Sequence, residues 1–177
     1  GHKIYGPKGI GALIINENLP LQPLQWGGGQ ESGIRSGTLP VPLIIGLVKA
    51  AEISHSMLEI ESNNLKELRD SLWKQIQLKV SGTKLNGSIK DRLPHNLNFT
   101  IEGINGRKLQ KLLKPFITCS SASACNNGLT SHVLKAIGRT QEQADASLRL
   151  SIGRNTSFDD IEEAANTIAK IVFDLRK

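Results

Sequence analysis

The chain has 177 residues, of which 38% are hydrophobic and 21% charged, a balance typical of a folded globular protein rather than an intrinsically disordered one. Its two cysteines argue against a disulfide framework and fit a reducing cytosol, so we expect a cytoplasmic protein. The net charge is +6, but no apolar run has the length of a membrane span and only 4% of residues are aromatic, so we expect neither a membrane nor a direct nucleic-acid partner.

The opening stretch GHKIYGPKGIGALII contains a short continuous apolar run. This run, Ile10 to Ile15, predicts a buried strand of a covered sheet. A segment rich in Gly and Pro follows and is typical of an ordered functional loop. Thr38 can cap a helix that begins near Pro40. The chain opens without a methionine, so Gly1-His2 could be a remnant of cloning, the point at which a longer protein was cut, or the point at which the ordered part begins.

Two apolar series at helical spacing come next and predict a long helical stretch over residues 41–79 that links two domains. The first series is Leu43, Ile44, Leu47, Val48 and Ala51. The second series is Leu58, Leu65, Leu68, Leu72 and Ile76. The polar patch at residues 61–64 is the expected site of a kink or split between them.

Beyond Gly82, strand patterns alternate with helix patterns, which predicts an α/β class. Period-two alternation indicates half-buried strands at 97–101 and 148–152, and an apolar run indicates a short strand at 116–119. Short helices are predicted around 109–113 and from Thr130 or Ser131 to Gly138. Ser157 and Asp160 resemble a capping box for a last amphipathic helix.

The stretch CSSASACNNG places Cys125 among small polar residues, where a thiolate nucleophile would be accessible. A small buried residue in a tight turn is an equally good interpretation of Cys125. We interpret Cys119, which ends an apolar stretch, as a packing residue. The spacing of the two cysteines is not a common zinc spacing and no nearby His pair completes it, so we expect no metal site.

Three other segments could carry chemistry, each with a simpler alternative. Lys3 could be a Schiff-base lysine for pyridoxal 5'-phosphate (PLP), or an ordinary surface charge. Residues 35–38, just before a helix start, could bind a phosphate, or be a linker with a capping threonine. Arg149 lies on the strand face opposite the leucines and could bind a substrate carboxylate through two hydrogen bonds, or be an exposed charge. Arg154 is a looser candidate.

Taken together and in this order, the motifs resemble the NifS-like cysteine desulfurases, PLP enzymes of the class V aminotransferase group. The matching stretches, which cover nearly the whole chain, are GHKIYGPKGIGAL, GGGQESGIRSGTLP, PHNLNFT, SSASAC, SHVLKAIG and LRLSIGRNTS. The resemblance implies the C-terminal part of a PLP fold type I enzyme, with a strand of the large domain, a long linking helix and a small α/β domain. The corresponding boundaries are residues 1–40, 41–79 and 80–177.

The resemblance also implies a role for each cofactor-side residue. Lys3 would be the lysine that binds PLP covalently, with His2 beside it at the phosphate end. Arg35 and Thr38 belong to the stretch that, in this family, reaches the cofactor phosphate of the other subunit of a homodimer. The chain departs from the family at Gln30, where histidine is common.

On the substrate side, the resemblance assigns Arg149 to the carboxylate of L-cysteine and Cys125 to the nucleophile. L-cysteine would become L-alanine, and the sulfur would remain on Cys125 as a persulfide for a sulfur-acceptor or scaffold protein. Iron–sulfur assembly, tRNA thiolation and DNA sulfur modification all use such donors. Ala122 stands where members often have glycine.

The family has about half of its chain before the lysine, so we expect the N-terminal half of the same enzyme as a partner. Without that half, we expect this chain to be inactive. Two alternatives remain open on the residues. One is a cysteine or selenocysteine lyase. The other is a truncated or split module that acts as a persulfide carrier or dimerisation partner without cofactor chemistry.

Overall fold

The computed structural model describes residues 1–120 and 131–177. The described chain divides into two compact units, Gly1–Glu59 and Ile60–Lys177. The finer division into residues 1–40, 41–79 and 80–177 stays a prediction.

The first unit is organised around one helix, α1 (Val41–Ser56), with short 3-10 turns at His2–Ile4 and Glu31–Gly33. The helix begins where the sequence predicts, but Thr38 does not cap it. Pro40 occupies the N-cap position, and no side chain makes a capping hydrogen bond there. The Thr38 hydroxyl lies two residues too early to reach the first free amides of the helix.

The predicted strand at residues 10–15 is absent, so the expectation of a large-domain strand at this place is wrong. Leu13 and Ile14 are 72% and 96% exposed. A strand needs a neighbouring strand to satisfy its backbone groups. Within the described part of the first unit, bridge pairing is limited to one parallel bridge between Gln25 and Arg35.

The predicted linking helix is two helices, because α1 ends before Met57 and α2 runs over Leu58–Lys79. The break lies at Met57 and not at the polar patch of residues 61–64, which stays helical. In the described ranges, no single helix is long and apolar enough to cross a membrane. Helices α1 and α2 reach the required length and apolar composition only when they are counted together, as a pair with a bend between them.

The second unit contains a three-stranded antiparallel sheet in the order β1 (Thr83–Leu85), β2 (Asn96–Ile101) and β3 (Ser147–Ser151). Strands β2 and β3 confirm the predicted alternation, whereas β1 was not predicted. The expected strand at 116–119 is reduced to a single bridge between Ser120 and Arg149. The amides of residues 116 and 117 bond back to the Leu113 carbonyl, which keeps that segment in a turn and prevents pairing.

Four helices complete the second unit: α3 (Gly106–Leu113), α4 (His132–Ala136), α5 (Gln141–Asp145) and α6 (Phe158–Arg176). Ser131 caps α4 by accepting a hydrogen bond from the Leu134 amide, and the Ser157–Asp160 capping box of α6 is present as predicted. A second capping box, Thr140 with Gln143, starts α5 and was not anticipated.

One apolar core lies between the sheet and helices α2, α3 and α6, with the predicted face of α6 turned inward. Of the predicted face of α2, Leu65, Leu68, Leu72 and Ile76 join this core, whereas Leu58 is 62% exposed. Its central members are Leu68, Leu72, Ile76, Leu97, Phe99, Ile101, Leu109, Leu113, Leu148, Leu150, Ile161, Ala165, Ile168 and Val172. Trp73 packs on Phe99 with the ring centroids 5.6 Å apart. Because Leu148 and Leu150 face this core, Arg149 projects from the opposite face of the sheet.

Gly106 tests the close packing of α3 on the strand that carries Arg149. A Cβ atom there would stand 2.7 Å from the carbonyl oxygens of Asp145 and Ser147. Helix propensity alone favours alanine by about 1 kcal/mol, but two backbone oxygens cannot rotate away. We therefore expect Gly106→Ala to lower the free energy of unfolding of the second unit by about 1–3 kcal/mol. Urea denaturation followed by Trp73 fluorescence measures this change.

The measurement requires a Trp26→Phe background, so that Trp73 is the single tryptophan. Gly11→Ala is the matched control, since a Cβ there meets nothing within 4 Å. We expect this control to unfold at the same urea concentration as the parent. An unchanged or higher stability of Gly106→Ala would contradict the close approach.

Candidate active site

The face of the sheet opposite the core is polar, and a hydrogen-bonded network fixes it. Asn98 lies opposite Arg149, and Thr100 lies opposite Ser147. The Asn86 side chain links the set: its Nδ2 donates to Asn98 Oδ1 at 2.7 Å and to Ser147 Oγ at 2.9 Å. Its Oδ1 accepts from Thr100 Oγ1 at 3.1 Å. These buried polar groups are satisfied, so the strand face beside Arg149 is rigidly held.

A cavity of about 300 Å³ opens over this polar face. Two arginines, Arg92 and Arg149, line it together with Asn96, Asn98 and Ser131. Such a volume suits an amino-acid-sized ligand, and two guanidinium groups favour an anionic one.

Arg92 has a structural task, because all three of its donor groups bind backbone carbonyls. Nε donates to Ser88 O at 2.6 Å, Nη2 to Asn86 O at 2.6 Å and Nη1 to Asn96 O at 3.4 Å. Burial lowers the pKa of Arg92, and the charge of Arg69 lowers it further. Arg92 therefore closes the loop between β1 and β2 and leaves little capacity for a ligand.

Arg149 is placed differently. Its side chain is half-buried, and within the described part of the chain its guanidinium makes no hydrogen bond and no ion pair. A half-buried guanidinium at a cavity wall is suited to bind a carboxylate by donating two parallel hydrogen bonds to it. Arg154, the looser candidate, is instead paired with Glu61.

Both flanks of residues 121–130 lie beside Arg149. Ser120 N donates to Arg149 O at 3.0 Å, and Arg149 N donates to Ser120 O at 2.6 Å. On the other flank, Ser131 caps α4 and lines the same cavity. Cys125 and Ala122 lie outside the described residues, so the nucleophile assignment stays a prediction.

Cys119, in contrast, packs against the apolar core and is half-buried. Its carbonyl accepts a hydrogen bond from Gln110 Nε2 at 3.0 Å. Burial raises the pKa of the Cys119 thiol. The thiol therefore stays protonated near neutral pH, in agreement with a packing role and not with a nucleophilic one.

In the first unit, Lys3 lies exposed on the turn His2–Ile4. The segment after this turn contacts α1 closely, because a Cβ on Gly46 would stand 3.0 Å from Pro7 Cγ. The Lys3 amine is thus accessible and is carried by backbone that packs on a helix.

The loop before α1 is ordered by its own hydrogen bonds and is not a flexible linker. The backbone of Arg35 forms a parallel β-bridge with Gln25, and the Gly37 amide donates a hydrogen bond to Gln30 Oε1 at 3.0 Å. Gln30, the departure from the family pattern, therefore has a structural use in this chain. Thr38 follows directly and is exposed.

The sequence-predicted residues fall into two groups, and each unit is described by itself. His2, Lys3, Arg35 and Thr38 belong to the first unit, and Arg149 belongs to the second. Sequence reasoning missed Asn86, Arg92 and Asn98 as lining residues of the Arg149 cavity. The alternation of Asn98 with Leu97 and Phe99 placed it on the polar face, but its pairing with Arg149 could not be deduced from one strand alone.

Comparison with known proteins decides the family. The family model described as aminotransferase class-V matches residues 1–163. The chain belongs to the aminotransferase class-V family. Among the curated relatives, cysteine desulfurase IscS of Rickettsia prowazekii (strain Madrid E) is 41% identical over 181 residues, covering 100% of this chain and 44% of the relative. The same enzyme of Rickettsia typhi (strain ATCC VR-144 / Wilmington) is 42% identical.

Solved structures agree with these matches. A NifS-like protein is 32% identical with a TM-score of 0.86, over 97% of this chain and 44% of that one. DndA from Streptomyces lividans is 36% identical with a TM-score of 0.64, over 85% and 44%. The chain therefore spans 44% of the length of the curated relatives. The predicted family and the predicted α/β class, as part of a NifS-like PLP fold, are confirmed.

The raised pKa of Cys119 gives a test by alkylation. In Cys125→Ala, Cys119 is the single thiol. Because burial disfavours the thiolate, we expect its reaction with iodoacetamide at neutral pH to be slower than in urea-unfolded protein. The rate should rise with pH through a midpoint above that of the unfolded chain. Equal rates and midpoints in the two states would contradict the burial of Cys119.

Proposed function

We propose that this chain contributes the substrate-binding and sulfur-accepting part of a PLP-dependent cysteine desulfurase, which converts L-cysteine to L-alanine and leaves sulfur on Cys125 as a persulfide. One observation carries the proposal. The Arg149 guanidinium, with no described partner, lines a cavity of about 300 Å³ together with Ser131, and Ser120, on the other flank of the Cys125 segment, pairs with the Arg149 backbone. The names of the relatives, cysteine desulfurases among them, support the same chemistry.

Arg149 binds the substrate carboxylate. The guanidinium presents two parallel N–H donors to the two carboxylate oxygens, and charge assistance roughly doubles the strength of each hydrogen bond. The Asn86–Asn98 network holds the strand, so the arginine orients the substrate without moving its own backbone. The α-amino and sulfur ends of L-cysteine then project away from Arg149.

The donor set of the first unit fits PLP. Lys3 offers an exposed primary amine for an aldehyde, with His2 next to it. Arg35 and Thr38 offer a guanidinium and a hydroxyl, both suited to a phosphate. Bound PLP supplies the electron sink for bond cleavage at the substrate. Lys3 moves a proton between its amine and the substrate carbon, and Arg35 and Thr38 serve the phosphate of the second subunit in a homodimer.

The sulfur step belongs to Cys125. Its thiolate attacks the sulfur of L-cysteine, a new S–S bond forms and the substrate Cβ–S bond breaks. The carbon skeleton takes up protons and leaves as L-alanine. The sum of L-cysteine and the Cys125 thiol thus equals L-alanine and the Cys125 persulfide, with no further oxidant.

Several partners belong to the same proposal. The substrate is L-cysteine, and the persulfide passes to a sulfur-acceptor or scaffold protein in a sulfur-mobilising process such as iron–sulfur cluster assembly. The enzyme is a cytoplasmic homodimer, and the N-terminal half of the same enzyme completes the cofactor pocket.

Substitution of Arg149 tests the substrate assignment in the full-length, PLP-loaded enzyme. Arg149→Ala removes both carboxylate hydrogen bonds, so we expect kcat/KM for L-cysteine to fall about 100-fold, mainly through KM. Arg149→Lys keeps the positive charge but not the two parallel N–H donors, so we expect it to recover only part of the lost kcat/KM. Lys170→Ala, on the exposed side of α6, is the control and should leave KM unchanged. Wild-type KM in Arg149→Ala would contradict the assignment.

The two cysteines provide a matched pair for the sulfur step. We expect Cys125→Ala to lower alanine formation from L-cysteine about 100-fold or more and to abolish the protein persulfide detected by intact mass. Cys119→Ala should retain both, because its thiol is protonated and packed. Full alanine formation by Cys125→Ala would instead support a cysteine or selenocysteine lyase.

A further inference from the structure

The net charge of the chain is confined to one stretch. Between Gly103 and Gln141 there are six Lys or Arg residues and no Asp or Glu. The other 16 basic residues are balanced by 16 acidic ones, so the whole excess of +6 lies in the stretch that also contains Cys125. Such a local excess creates an attractive field for anionic partners.

Helix α3 and the turn after it carry most of this excess on one exposed side. Leu109 and Leu113 are fully buried against the core and fix the orientation of the helix. The exposed side, which we term the α3 basic face, consists of Arg107, Lys108, Lys111 and Lys114. A helix that buries its leucines this way must present these cations to solvent.

The three lysines of this face carry uncompensated charge. Ion pairs between described residues involve other cations, such as Lys84 with Glu102 and Lys49 with Glu52. None of them involves Lys108, Lys111 or Lys114. Like charges at helical i, i+3 spacing repel one another, so their assembly costs stability unless a partner of opposite charge offsets it.

The α3 basic face lies beside the flank of the Cys125 segment. A cavity of about 480 Å³ lies along it, lined by Arg107, Lys111 and Lys114 on one side and Thr118 on the other. Gln110 Nε2 donates to the carbonyl immediately before Ser120, at 3.0 Å, and ties α3 to the flank of the Cys125 segment. A partner that lies in this cavity therefore contacts the chain just before the segment that contains Cys125.

Apolar side chains beside the lysines favour a protein as the partner. Leu112 is 43% exposed and Phe116 is 69% exposed. Protein interfaces combine such aromatic and aliphatic anchors with a charged rim. A surface for single-stranded nucleic acid would need several aromatic rings between the cations, and Phe116 is the one aromatic residue between Gly103 and Gln141.

We propose that the α3 basic face docks an acidic surface of the protein that accepts sulfur from Cys125. This inference rests on the proposed function. Docking brings the acceptor thiolate to the persulfide, where it attacks the terminal sulfur. The S–S bond of the Cys125 persulfide breaks, a new S–S bond forms on the acceptor and Cys125 leaves as a thiolate, so no oxidant or reductant is needed.

The test uses the full-length, PLP-loaded enzyme and a pair of synthetic acceptor peptides. One peptide has a single cysteine in a glutamate-rich sequence, and in the other glutamines replace the glutamates. We expect sulfur transfer to the acidic peptide to be about tenfold faster, because opposite charges speed encounter. Salt at about 0.5 M should remove the advantage by screening.

Charge reversal locates the effect. The triple variant Lys108→Glu, Lys111→Glu and Lys114→Glu should lose the tenfold preference for the acidic peptide. The control changes charge equally at Lys66, Lys74 and Lys170, which are exposed on α2 and α6, and should keep the preference. Circular dichroism of both triple variants establishes that each is folded.

Sulfide release by a small reducing thiol separates this proposal from the proposed function. If the wild type releases no sulfide from L-cysteine, the proposed function fails. Normal release with no preference for the acidic peptide, or a preference kept by the α3 variant, overturns docking at α3. Loss of single-stranded DNA binding in the α3 variant, without loss of the peptide preference, would assign the face to nucleic acid and overturn the proposal.

Discussion

The antiparallel register of β2 against β3 is the constraint on which the candidate site depends. In this register Leu97 and Phe99 share the core with Leu148 and Leu150, while Asn98 faces Arg149. A slip of one residue would turn Arg149 into the core and the leucines towards the cavity. An unpaired guanidinium in an apolar core costs several kcal/mol, so burial of the leucines and presentation of Arg149 are enforced together.

The arginines of the second unit show how partners, and not residue type, set a role. Three arginine side chains donate to backbone carbonyls. Arg69 donates to Leu93 and Arg139 to Leu85. Arg92 donates to three carbonyls, those of Ser88, Asn86 and Asn96. Each satisfies carbonyl groups that no strand neighbour reaches, and so closes a loop. The Arg149 side chain has no such bond within the described residues, and this difference supports its proposed role in substrate binding.

The two thiols of the chain are separated by environment. Cys119 ends a segment whose Ile117 packs on the core, so its sulfur is desolvated and protonated. One residue later the backbone of Ser120 pairs with Arg149. Most of the charge excess of the same region lies on α3 and the turn after it, outside the core. The desolvated thiol, the proposed substrate anchor and the proposed docking face therefore occupy distinct surfaces of one small unit.

The sequence by itself determined the elements whose burial repeats with a regular period. The face of α6, the leucines of α2, the alternation in β2 and β3 and the Ser157 cap are all local patterns. It did not determine which segments pair as strands. The segments 10–15 and 116–119 are apolar enough for strands, yet neither forms a ladder of hydrogen bonds with a neighbouring strand. The helix break at Met57 also has no local signal. Only the tertiary structure decided that the Arg92 side chain would bind backbone carbonyls, whereas the Arg149 side chain would line a cavity without a hydrogen bond to a described residue. The physical reason is that the fold determines which hydrogen-bond partners distant in sequence reach each guanidinium.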